Sequence, residues 1–154
     1  MHKLRFMFVG ALLLAGSTIA FGQKADVMKP INQFVDGFNK GDTKSALAAC
    51  SEATAIIDEF APYMWTGAGA CQKWADDYDS DAKKNGITDG WVRLGKATHF
   101  EVDGNLAYVV IPSNYTYKQK GKKTGQFGSF FSFVLSKRPT GWAITAWSWG
   151  TKGQ

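Results

Sequence analysis

The sequence predicts an α+β domain in which a curved antiparallel sheet wraps over three N-terminal helices. Two observations carry this reading. Apolar residues recur at helical spacing through the first half of the chain, and from Trp91 onward they alternate at strand spacing, with turn signals between the runs.

The first element is a leader. His2, Lys3 and Arg5 precede an apolar run from Phe6 to Ala15 and then small residues, the pattern of a secretory signal peptide. A cut after Gly22 leaves Gln23 as the new end, with a cut after Ala20 as the alternative. The run is too short to span a bilayer comfortably, so residues 1–22 are read as a removed leader and 23–154 as one domain. The expected product is an exported chain, periplasmic or secreted, with no membrane attachment after cleavage.

Helix follows from about Ala25 to Lys40, where Val27, Ile31, Phe34, Val35 and Phe38 trace one face. Gly41 suits the left-handed residue after a helix, and Asp42 or Thr43 can cap a second, short helix reaching about Cys50. Ala55, Ile56 and Ile57 read as a short buried strand, with Pro62 breaking anything beyond. A third helix after "WTGAGA" places Cys71, Trp74, Ala75, Tyr78 and Ala82 on one stripe, and "NGITDG" stops it. Four strands are then expected at about 91–102, 106–118, 127–137 and 142–149. Their turns are "VDGN", the lysine cluster with Gly121 and Gly125, and "RPTG".

Composition excludes several classes. The net charge of +5 falls to about +3 when Lys3 and Arg5 leave with the leader, too little to argue for nucleic acid. Lys118, Lys120, Lys122 and Lys123 read as a solvated hairpin tip. "GAGACQ" lacks the Lys and Ser/Thr of a phosphate loop, and His99 is the one histidine of the mature chain, so neither a nucleotide cofactor nor a metal is indicated. Ser51, Ser113 and Ser129 have no nucleophile elbow or evident His partner. Cys50 and Cys71 are expected to bridge in an oxidising compartment, two free thiols or an intermolecular bond being the alternatives.

The order and spacing of "FVDGFNKGD", "ATAIIDEF", "WTGAGACQKWADDY", "GNLAYVVIPSNYTYKQKG" and "GWAITAWSWG" resemble the nuclear transport factor 2-like superfamily, in its SnoaL-like and ketosteroid isomerase-like branch, over essentially all of residues 25–150. The resemblance implies a cone-shaped α+β half-barrel of the cystatin-like type, with a pocket between sheet and helices, and homodimers formed through the sheet. In ketosteroid isomerases a carboxylate at the end of the short strand shuttles the proton, while a Tyr from the first helix and a protonated Asp from a later strand hold the oxyanion. By that resemblance Asp58 falls on or within one residue of the base position. The Tyr position falls at Phe34 and the Asp position near Ser132 or Phe133, so the oxyanion donors are unmatched. The similar scytalone dehydratases use a His and an Asp, which makes His99 a second catalytic candidate beside Asp58. Strand alternation puts His99 with Glu101 on one face and Phe100 with Val102 on the other, so the His face can equally be solvent or a subunit contact.

For Asp58 and Glu59 the plain alternative is that both mark where a strand leaves the core. If Asp58 instead points into the pocket, burial raises its pKa, and Glu59 faces away by alternation. The expected pocket is lined by Phe34, Phe38, Trp65, Trp74, Tyr78, Tyr115, Phe131 and Trp147. The function expected is binding of a small apolar or amphipathic molecule, with an acid/base isomerase or dehydratase and a non-catalytic assembly domain as alternatives. No cofactor is implied.

Overall fold

The computed structural model describes residues 15–151; most of the expected leader, residues 1–14, lies outside them. Three helices, α1 (Ala15–Lys40), α2 (Thr43–Leu47) and α3 (Ala70–Asn85), accompany seven strands: β1 (Cys50–Ile57), β2 (Met64–Ala68), β3 (Ile87–Leu94), β4 (His99–Asp103), β5 (Leu106–Gln119), β6 (Lys122–Arg138) and β7 (Gly141–Gly150). The sheet runs β2-β1-β7-β6-β5-β3, and β4 also pairs with β5. Only the β1–β7 pair is parallel.

The expected α+β architecture is present, and its helices fall where periodicity puts them. α1 begins ahead of Ala25 and turns Val27, Ile31, Phe34 and Val35 into the core at the spacing of one helical face. Asp42 caps α2 by accepting the Ser45 N–H at 3.0 Å. Gly86 closes α3 in the left-handed conformation at φ 66°.

The sheet departs from expectation in three places. The stretch expected as a single strand over 91–102 is two, β3 and β4, which share the long strand β5 end to end. Gly95 marks the break: its N–H donates to the Pro112 carbonyl at 2.8 Å, and a Cβ there would meet that same oxygen at 2.8 Å. Secondly, β1 is longer than expected and pairs with β2, so that Met64–Ala68 forms a strand beyond Pro62, where no further strand was expected. Thirdly, β5 and β6 extend into the lysine cluster until only Lys120 and Gly121 form the turn, both at positive φ (49° and 81°), as a tight two-residue hairpin requires. Register shifts put an extra residue on β6, at Phe127–Gly128 opposite Ser113–Tyr115 of β5, and on β7, at Thr145 opposite Val134–Leu135 of β6; such bulges bend the strands that carry them and curve the sheet into its concave face.

That face carries Val109, Ile111, Phe131, Phe133, Leu135, Ile144 and Trp147, all buried against α1 and α3. The Cys50–Cys71 bridge forms as expected, joining the start of β1 to the first turn of α3. With a sequence separation of 21 between the cysteines, it contributes about 3 kcal/mol on the chain-entropy account. Its position ties the helix bearing Trp74 and Tyr78 to the strand that leads to Asp58.

Candidate functional site

A cavity of about 170 Å³ lies between the concave sheet face, α1 and α3. Helical spacing brings Phe34 and Phe38 from α1, and Trp74, Tyr78 and Asp81 from α3, to one side. Strand alternation brings Tyr115 and Tyr117, Phe131, and Trp147 and Trp149 to the other. The rings interlock. Trp74 stands edge-on to Trp147 at 4.9 Å between centroids, stacks on Tyr78 at 5.6 Å, and lies 5.8 Å from Phe34.

Asp58 follows directly on β1 and borders this aromatic wall. One carboxylate oxygen accepts the Trp74 Nε1–H at 2.9 Å, and the other accepts the Glu59 N–H at 2.8 Å. Burial is the main reason its pKa is raised from 3.8 to about 6; the two hydrogen bonds oppose the rise and the Glu59 charge adds to it. The reading of Asp58 as only a strand-end acid therefore misses its environment.

Glu59 does not face away, because the strand has already ended and alternation no longer applies. It borders the cavity mouth, accepting from the Gln126 amide at 2.9 Å and from the Thr151 N–H at 2.7 Å. Gln126 in turn accepts the Trp149 indole N–H at 2.8 Å, so the rim is a connected polar set.

Across the cavity the Tyr78 and Tyr115 hydroxyls are 2.5 Å apart. Burial pushes both phenols above their ordinary range, which keeps them protonated at neutral pH. Two hydroxyls sharing one hydrogen bond leave one O–H free to donate to a bound molecule. Among the described residues, the buried Trp147 Nε1 has no hydrogen-bond partner.

A model of the SnoaL-like domain matches residues 27–149. The chain belongs to the SnoaL-like domain family. Solved structures agree on the fold. A protein of unknown function from Mycobacterium tuberculosis aligns at TM-score 0.74 and 14% identity, covering 92% of this chain and 79% of that one. A nuclear transport factor 2-like protein with a cystatin-like fold from Novosphingobium aromaticivorans gives 0.70 and 18%, with coverage of 90% and 87%. A nuclear transport factor 2-like superfamily protein from Salmonella enterica gives 0.71 and 19%, with 91% and 95%. No curated protein matches the sequence.

Within this SnoaL-like domain the structure brings together Phe34, Phe38, Asp58, Trp74, Tyr78, Tyr115, Phe131 and Trp147 of the expected residues. Two others stand apart. Trp65 is buried but does not border the cavity; its indole N–H donates to Asp77 at 2.8 Å and its ring backs Phe60 at 5.0 Å. His99 is exposed on β4, where it meets Glu101 at 3.3 Å, and it borders neither this cavity nor the groove beside α2 and α3. No Asp58–His99 pair is formed at the cavity. Phe133 is fully buried in the core, and Phe131 and Gln126 are the β6 residues that reach the cavity.

Phe60, Asp81, Tyr117, Gln126 and Trp149, with the aliphatic Val35, Ile87 and Val92, complete the lining without having been expected there. Tyr117 and Trp149 were within reach of sequence reasoning, each lying two residues beyond an expected lining residue on the same strand face. Gln126 carries no such signal. Among the described residues, no group of three or more His, Cys, Asp or Glu side chains is arranged to hold a metal ion.

Proposed function

We propose that this SnoaL-like domain is exported and binds a small amphipathic molecule, its apolar part among the aromatic rings and its polar part at Asp58. The observation that carries the reading is a half-buried carboxyl, held by Trp74, at the edge of a cavity walled mainly by aromatic rings. The size is informative: an apolar cavity of about 150 Å³ accommodates one benzene ring, so 170 Å³ suits a single ring or a branched group of similar bulk. Titrating the mature chain with benzyl alcohol should give a saturable change in fluorescence from Trp74, Trp147 and Trp149, with a matching rise in melting temperature. Absence of both changes across a set of single-ring alcohols, ketones and small amines would refute the reading.

Acid/base catalysis is the second reading, favoured by a carboxyl with a pKa of about 6 that lines the same cavity as the Tyr78–Tyr115 hydroxyl pair. It requires Asp58-dependent exchange of an α-proton of a bound ketone in heavy water, and equal exchange in Asp58→Asn would remove it.

Export is supported by the leader pattern and by the disulfide. Among the described residues, no helix is long and apolar enough to cross a membrane.

We further propose a homodimer through the outer sheet face, where Tyr108, Phe130 and Val134 remain exposed on adjacent strands. Light scattering should give the mass of two chains, and Val134→Lys should halve it without changing the circular dichroism. A monomeric native chain would disprove the dimer.

A further inference from the structure

We infer that the cavity selects a cation, a small amine or quaternary ammonium compound, rather than a neutral or anionic ligand. This rests on the small-molecule reading above and specifies the ligand's charge.

Charge placement is the first argument. Three carboxylates, Asp58, Glu59 and Asp81, border the cavity, and no Lys, Arg or His does. The chain as a whole is basic, with 18 Lys and Arg against 13 Asp and Glu, so the acidic lining is not a reflection of composition. Among the described residues the ion pairs are His99–Glu101 and Lys118–Asp89, and neither involves a cavity acid. Among the described residues, the lining thus concentrates negative charge with no cation beside it to balance it.

The second argument is the walls. Ring faces carry the negative part of an aromatic quadrupole and attract a cation held over them, most strongly where water is excluded. Trp74, Tyr78, Tyr115, Trp147 and Trp149 supply such rings from three directions. An anion would meet repulsion from both the carboxylates and the ring faces. A neutral ligand would gain the apolar contact but leave Asp58 without a charge partner. Burial is the main reason that the pKa of Asp58 is raised, and the like-charged Glu59 adds a smaller push in the same direction. A trimethylammonium head is compact and apolar on its surface, which suits a space close to that of one ring.

The test compares choline with 3,3-dimethylbutan-1-ol, its uncharged counterpart of the same shape, by calorimetric titration of the mature chain at pH 7.5, with benzyl alcohol as a neutral aromatic control. The expected result is choline binding at least tenfold tighter than the alcohol, with the ratio falling toward one in Asp58→Asn. Equal or tighter binding of the alcohol overturns the cation inference and leaves the small-molecule reading standing, as does binding of benzyl alcohol alone. Binding of none of the three overturns both. Because the wild-type ratio decides the question, the inference stays testable even if the variant fails to fold.

Discussion

Replacing Phe34 by alanine should lower stability by about 3–5 kcal/mol and create a protein that small apolar molecules partly restore. Phe34 is 2% exposed, and its ring lies 5.6 Å from Trp147, 5.8 Å from Trp74 and 6.3 Å from Phe131. It is the one helical side chain that touches both α3 and two sheet strands through aromatic contacts, so its removal strips packing from three directions. Collapse cannot close the gap readily, since the neighbouring rings are rigid and are themselves held by one another. The vacated volume also adjoins the existing cavity and enlarges it. A ligand that binds only the folded state stabilises by about 2.7 kcal/mol at one hundred times its dissociation constant. Toluene should therefore raise the melting temperature of Phe34→Ala more than that of the wild type. A loss below about 1 kcal/mol, or no differential effect of toluene, would mean that Phe34 is not the centre of the cluster.

Much of this centre is legible in the sequence because it rests on local periodicity. The steps from Val27 to Phe38 define a helical face whatever it packs against, and Trp74 and Tyr78 share a stripe for the same reason. Two-residue spacing likewise fixes which side of β5 and β7 meets the helices. What was not legible depends on partners distant in sequence. Met64–Ala68 becomes a strand because β1 offers it an edge, a matter of pairing rather than propensity. The segment over 91–102 reads as continuous because "GKAT" contains one weak breaker, and its division is set by the close approach of Gly95 to Pro112. Trp65 and Phe60 illustrate the limit for the site: both are aromatic and near Asp58 in sequence, yet the turn between β1 and β2 sets Phe60 at the cavity and Trp65 behind it. Glu59 was misplaced because alternation was extended two residues past the end of its strand at Ile57.

Asp58→Asn should make the unliganded protein more stable at pH 7 and flatten its stability between about pH 4 and 6. In the folded chain the carboxyl titrates near 6, against 3.8 for the group in water. Over the interval between these values the folded state binds more protons than the unfolded state, so stability falls as pH rises through it. Above about pH 6 the penalty is fully present; at 1.36 kcal/mol per pKa unit it is roughly 3 kcal/mol. Asparagine carries no charge and escapes this penalty, while its carbonyl oxygen can still accept the Trp74 indole N–H. The Glu59 N–H loses its carboxylate acceptor, but it is exposed and water can serve it, so the net gain should be roughly 2 kcal/mol. For a domain of this size that corresponds to a rise of roughly 5–10 °C in melting temperature. Thermal unfolding of both proteins from pH 4 to 8 would show the two curves converging at the acidic end and separating above pH 6. A variant less stable than wild type at pH 7, with the same pH slope, would mean that the ionised carboxylate is stabilised by its surroundings and that burial is not its dominant influence. A stabilising substitution at the polar anchor of the cavity would mean that the native protein retains a destabilising ionised acid there, the trade expected where a side chain is kept for binding rather than for folding.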